Sequence, residues 1–213
     1  MRVLSLFILF IALQGCVVER LLNFKHQLKN PQKYINFNQA GVLIFNAPIL
    51  HLEDIELLSG VKPTRITKNK VVYDFIRPEQ PNYSFTYTLI FKDRKLAIID
   101  YPDVFYNSIE STFAFDSLSL FGQATLPSGN NWTVGNEKIE INDVPTKGDI
   151  ENVFGPPTII NSFSNEIVYH YHYKHPTKNG LQHIKVSLSF NKKTNRATQL
   201  FLQLPDRSWK INL

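Results

Sequence analysis

His170, His172 and His175 form the densest set of metal-ligand side chains in the sequence. On a strand, His170 and His172 would point to one face, a spacing that suits two ligands of a metal ion. No cysteine lies near them, and the nearest carboxylate along the chain is Glu166. Alternating His and Tyr is also how a polar strand face opposite an aromatic one reads, so no metal and no cofactor are expected. Two carboxylate clusters, Glu53/Asp54/Glu56 and Asp149/Glu151, each open a short helical pattern. Acidic groups in a first helical turn offset the helix dipole, so capping is expected of them rather than acid–base chemistry. The sequence contains no Gly-x-Ser-x-Gly elbow, no phosphate-cradling glycine loop and no dinucleotide motif. No catalytic residue is expected, and the chain is read as a non-enzyme.

The single cysteine, Cys16, has a different chemistry. It follows Arg2, an apolar run over 3–13 and the exit Leu13-Gln14-Gly15. A bilayer-spanning helix needs roughly 20 apolar residues, so this run is an export signal rather than a span. Leu13-Gln14-Gly15-Cys16 resembles the lipobox of bacterial lipoproteins, with Gln14 where a small residue is usual. That resemblance implies cleavage after Gly15 and lipid on Cys16. Val17, rather than Asp, after the cysteine implies sorting to the outer membrane, with the protein facing the periplasm.

Composition agrees with a folded body behind such an anchor. Of 213 residues, 43% are hydrophobic, 13% aromatic and 19% charged, which supplies a core and excludes wholesale disorder. Abundant Phe and Tyr favour β structure. One cysteine excludes an internal disulfide framework or a multi-cysteine zinc site. Loss of residues 1–15 removes one base, Arg2, from the 23 basic residues and leaves 22 against 18 acidic ones. This modest positive charge suits a phosphate-bearing envelope surface, and no Arg-rich helix or recognition motif points to nucleic acid.

Past a polar stretch over 16–40, which is expected to be a lipidated tether, the hydrophobic pattern repeats. Asp54-Ile55-Glu56, a short apolar stretch, Gly60, Pro63 and Thr64 are echoed by Asp149-Ile150-Glu151, Gly155, Pro156-Pro157 and Thr158. Val71-Val72-Tyr73 lines up with Ile167-Val168-Tyr169, and both units close on Pro-Asp, at Pro102 and Pro205. The offset grows from 95 residues at Asp54/Asp149 to 103 at Pro102/Pro205. The expected fold class is α+β, as two tandem units over 41–105 and 135–213 joined by 106–134. Each unit is a short helical segment on a three- to four-stranded antiparallel sheet.

The predicted strands run over 41–45, 70–76, 83–91 and 95–101 in the first unit, and over 138–142, 166–174, 182–190 and 197–204 in the second. Thr146 with Asp149 predicts a capping box, and Gly155 with two prolines a firm helix stop. In the first unit Leu52, Ile55 and Leu58 make the stripe and Gly60 the stop. Phe113, Phe115, Leu118 and Leu120 suggest an added edge strand in the connection, with a turn over 127–130.

The candidate binding residues fall into two groups. Tyr83, Phe85, Tyr87, Tyr171 and Tyr173 could line a concave aromatic surface for a protein or glycan. Lys92, Arg94 and Lys95, with Lys192, Lys193 and Arg196, put a basic turn in each unit, placed to meet anionic lipid.

The second unit resembles the SmpA/OmlA lipoproteins, the small component of the outer-membrane β-barrel assembly machinery. Thr146, Gly155 and Pro157 match that family's Thr…Gly-x-Pro signature. Val168, Tyr169 and Tyr171 match its aromatic strand, and Leu188 with Phe190 its Leu-x-Phe strand. Val144-Pro145 stands where the family has Gly-Met, and Lys193-Thr194-Asn195 where its last hairpin has Gly. The duplication is similar to the tandem architecture of β-lactamase-inhibitor proteins. The resemblance implies a non-enzymatic outer-membrane lipoprotein that binds an envelope protein partner and helps to assemble or stabilise an envelope complex. The alternatives are an inhibitor of a periplasmic hydrolase and a lipid- or glycan-binding envelope protein.

Overall fold

The computed structural model describes residues 17–38, 42–123, 131–134 and 143–213. A helix over 17–29 (α1) leads into α2 (Pro31–Tyr34) and strands β1 (Ile35–Phe37) and β2 (Val42–Phe45). Helix α3 (Leu52–Ser59) precedes β3 (Arg65–Ile66), β4 (Lys70–Phe75), β5 (Phe85–Lys92) and β6 (Lys95–Asp100). Then come α4 (Asp103–Ser108), α5 (Ser111–Gln123), β7 (Asn131–Val134) and α6 (Lys147–Phe154). The chain ends in β8 (Ile159–Ser162), β9 (Glu166–Thr177), β10 (Gly180–Asn191), β11 (Ala197–Gln203) and β12 (Ser208–Asn212).

The class is α+β. The strands form two six-stranded sheets, in the orders β1-β2-β6-β5-β4-β3 and β7-β12-β11-β10-β9-β8. Every pairing is antiparallel except β12 with β7. The sheets meet where β4 runs out: Ile76 and Lys174 exchange both backbone N–H···O bonds at 2.8 Å.

Alternation decides which faces are inside. Val71, Tyr73 and Phe75 of β4 are buried, as are Tyr169, Tyr171, Tyr173 and His175 of β9. Apart from His175, these side chains join an apolar cluster drawn from both sheets. Each such side chain stabilises by roughly 1.5–3 kcal/mol on burial.

Both short helices end as the sequence dictates. Thr146 caps α6 by accepting the Asp149 N–H at 3.3 Å, while its own N–H donates to the Asp149 carboxylate at 2.8 Å. In α3 the His51 N–H donates to Asp54 at 2.9 Å. Gly60 (φ 67°) and Gly155 (φ 71°) stop the two helices. A Cβ on Gly155 would lie 2.4 Å from the Tyr83 ring, so this glycine is required for contact as well as for backbone angle.

Three expectations are corrected. Of the stretch over 16–40, residues 17–38 are not a loose tether: they form α1, α2 and β1. Leu21, Phe24 and Leu28 fall on one helical stripe and pack on the core, and Arg20 clamps Asp54 with two 2.7 Å bonds. The Phe113–Leu120 alternation does not make an edge strand but helix α5, where Phe115, Leu118 and Phe121 share a face against the core. The added strand is β7 instead, and β1 and β3 in one sheet and β8 and β12 in the other widen the sheets to six strands rather than three or four. The predicted strand over 138–142, the turn over 127–130 and the signal with Cys16 lie outside the described residues.

A candidate apolar ligand cavity

Between the inner faces of the two sheets lies a cavity of about 490 Å³. Strands β4, β5 and β6 give it Tyr73, Phe85, Tyr87 and Leu89, with Ile99 and Tyr101; β10 to β12 face them with Ile184, Val186, Leu200, Leu202 and Trp209. Helices add to its walls, through Phe24 of α1, Ile55 and Leu58 of α3, Phe105, Phe121 and Phe154. None of the lining side chains is charged. The size falls within the 300–1,000 Å³ range of small-molecule sites.

One wall of this cavity carries a row of tyrosine rings. Tyr73 and Tyr87 sit opposite each other across β4 and β5, with rings 5.5 Å apart and stacked. Tyr101, just after β6, continues the row at 6.0 Å from Tyr87. Burial pushes all three phenols up, that of Tyr101 to about 12, so they stay neutral donors. The nearby Glu56 carboxylate raises Tyr73 further. Tyr87 and Tyr101 are enclosed and yet keep accessible area, as side chains on an internal wall do. The Tyr73 hydroxyl, only 2% of whose residue is exposed, finds no hydrogen-bond partner among the described residues.

The junction of the two sheets is rigidified by two groups that composition and motif did not single out for this work. Arg77 is fully buried and donates to the carbonyls of Phe154 and Pro156, the latter at 2.9 Å, while its guanidinium lies 5.3 Å over the Tyr171 ring. Its charge therefore rests on the carboxyl end of α6 and on an aromatic face. His175, also fully buried, stacks on Phe75 at 5.1 Å, with Nδ1 at 2.7 Å from the Asp74 carbonyl and Nε2 at 2.6 Å from that of Lys62. The signal for Arg77 was its place at the end of an aromatic strand; nothing local told that a helix end 77 residues away would meet it.

The aromatic candidates do not form an exposed concave face. Tyr171 and Tyr173 are 0% and 1% exposed, and Tyr171 lies beneath Arg77. Phe85, Tyr87 and Tyr173 line the cavity, and Tyr83 packs on the Gly155 backbone. Lys92, Arg94 and Lys95 surround the exposed β5–β6 turn, where Asp93 and Arg94 take positive φ. Lys192, Lys193 and Arg196 surround the exposed β10–β11 turn, with Arg196 donating to the Val144 carbonyl at 2.9 Å.

The histidines part company. His170 bonds Ser187 at 2.8 Å and Asn161 at 2.9 Å, whereas His175 is on the opposite, buried face. His172 is held below its usual value by burial and by Lys185. Among the described residues no three metal-ligand side chains converge. Glu151 accepts from the Tyr169 hydroxyl at 2.7 Å, while Asp54 and Asp149 cap. No helix of the described residues is long and apolar enough to cross a membrane.

No protein-family model, curated protein or solved structure matches the chain.

Proposed function

We propose that this is a lipid-anchored envelope protein without catalytic activity that binds an apolar ligand between its two sheets. The observation that carries the reading is the cavity of about 490 Å³ with no charged lining. An apolar occupant makes contacts with these apolar walls and removes their area from water, at roughly 25 cal/mol per Å² buried. The anchor is the lipid on Cys16, and the destination the outer membrane, on the strength of the lipobox pattern. The body is a tandem pair of SmpA/OmlA-like units. The matched strand orders β6-β5-β4-β3 and β11-β10-β9-β8, each led by a glycine-stopped helix, support that duplication.

The test is a titration of the delipidated mature chain with the uncharged fluorophore N-phenyl-1-naphthylamine. Saturable one-to-one enhancement is expected, abolished in the cavity-filling variant Leu89→Trp and weakened in the milder Ile184→Phe. Absence of saturable binding to the wild-type chain sinks the reading.

A second reading, a scaffold that docks an envelope protein, has its own observation. Ile159, Ile160 and Phe163 around edge strand β8 are 48%, 57% and 56% exposed. A mild-detergent pull-down of the lipidated protein from its envelope would then recover a stoichiometric partner that Ile160→Asp loses.

A further inference from the structure

We propose that the outer face of α1 is a membrane surface: beside the lipid on Cys16, it lies flat in the headgroup layer of an anionic bilayer. This rests on the lipid anchor of the proposed function and adds how the folded body sits on the membrane.

The chain leaves little slack between anchor and body. Cys16 directly precedes α1, which is held to the core by Leu21, Phe24 and Leu28 and by the Arg20–Asp54 clamp. Away from that inner stripe, Val18, Leu22, Lys25 and Lys29 follow at i, i+4, i+7 and i+11, so they share the outer face. Val18 and Leu22 are 53% and 51% exposed and stand at the end next to the lipid. Lys29 is exposed beyond them, as is Lys33 of α2, whose ammonium rests 5.2 Å over the Tyr34 ring. Over 17–38 the only acid is Glu19, and one carboxylate of α5, Asp116, shares a polar cleft with Lys29 and Lys33. The face is therefore net basic. Aliphatic side chains that reach the acyl boundary, beside lysines that keep their charge at the phosphates, make an interfacial helix.

Tilt decides how much of this face is used. Thirteen residues of helix are about 20 Å long, so an upright α1 would hold Lys29 and Lys33 some two Debye lengths from the surface. Lying flat, it brings all three lysines to the headgroups, where each strengthens the contact about fivefold. The basic turns at Lys92–Lys95 and Lys192–Arg196 carry no exposed large apolar side chain to join their charge.

The experiment couples the mature chain through Cys16, its only thiol, to maleimide lipid in vesicles, which anchors it whether or not the cell acylates it. A membrane-impermeant acetylating reagent then reads each lysine by peptide mass. With phosphatidylglycerol in the vesicles, Lys29 and Lys33 are expected to react at least about fivefold more slowly than in the free chain, and Lys92 and Lys193 at the same rate. The protection should disappear on phosphatidylcholine vesicles, in about 1 M salt, where the Debye length is roughly 3 Å, and in a folded Leu22→Glu variant. If Lys29 and Lys33 react as in the free chain, if the hairpin lysines are protected in their place, or if neutral vesicles protect equally, α1 is not the membrane surface. Native protein with no acyl mass on Cys16 would instead overturn the anchor, a separate result.

Discussion

Arg77 holds a buried positive charge with carbonyls and aromatic rings in place of a carboxylate. Truncation to alanine strands the Phe154 and Pro156 carbonyls and opens a void, so Arg77→Ala should cost about 3 kcal/mol in urea unfolding. Arg77→Lys should recover only part of that, because a point charge does not span both carbonyls as the guanidinium fork does. Asp54 makes the pH prediction. Burial alone would raise its carboxyl, but the Arg20 bonds, the His51 N–H and the Arg20 charge outweigh it and hold the value below 3.8. A depressed value in the folded state contributes stability that is complete above 3.8 and is lost as pH falls through the lower folded value. The loss of stability between 3.8 and that lower value should therefore be less steep in the Asp54→Asn/Arg20→Met double variant. Equal acid profiles would show that the clamp carries none of the titration.

At the scale of elements, the local signals that were legible are those with a steric cause. Thr146 with Asp149, and glycines at 60 and 155, fix where α3 and α6 begin and end because capping and positive φ are decided within a few residues. Gly155→Ala meets both a positive φ and the Tyr83 ring at 2.4 Å, so it should lower stability by about 3 kcal/mol. Tyr83→Ala in the same chain should restore the space but not the backbone penalty; full recovery in chemical denaturation would show that strain contributes nothing.

Helices α1 and α5 were not legible, because their stripes are diluted by polar residues and gain their stability from packing on each other and on the core. Their approach is close at Gly122, where a Cβ would lie 2.4 Å from the Lys29 backbone nitrogen. Gly122→Leu should push α1 away and make residues 17–29 the first site of limited proteolysis. The tyrosine row was half legible: Tyr87 was singled out as a contact residue, but its inward direction is set by pairing with β4 and β6, which periodicity alone did not assign.

At the scale of the whole molecule, the two similar stretches of sequence do not keep separate cores. Most of the buried side chains of both sheets form one cluster, with a smaller one at Leu120, Val134 and Ile211; the sheets share the Ile76–Lys174 bridge, and the cavity lies where their inner faces meet. A ligand seated there touches both sheets and should stabilise the whole chain. At about 100 times its Kd, a saturating ligand adds about 2.7 kcal/mol, or a rise in Tm of roughly 5–10 °C for a chain of this length. Differential scanning calorimetry with N-phenyl-1-naphthylamine checks it, with the rise expected to vanish in Leu89→Trp. The most direct measurement is native mass spectrometry of the mature protein released gently from its own envelope. A non-covalent one-to-one adduct with the mass of an apolar small molecule, present in wild type and missing from Leu89→Trp, is the expected result. A bare chain that also fails to take up N-phenyl-1-naphthylamine when it is supplied would contradict the assignment of the cavity as a ligand site.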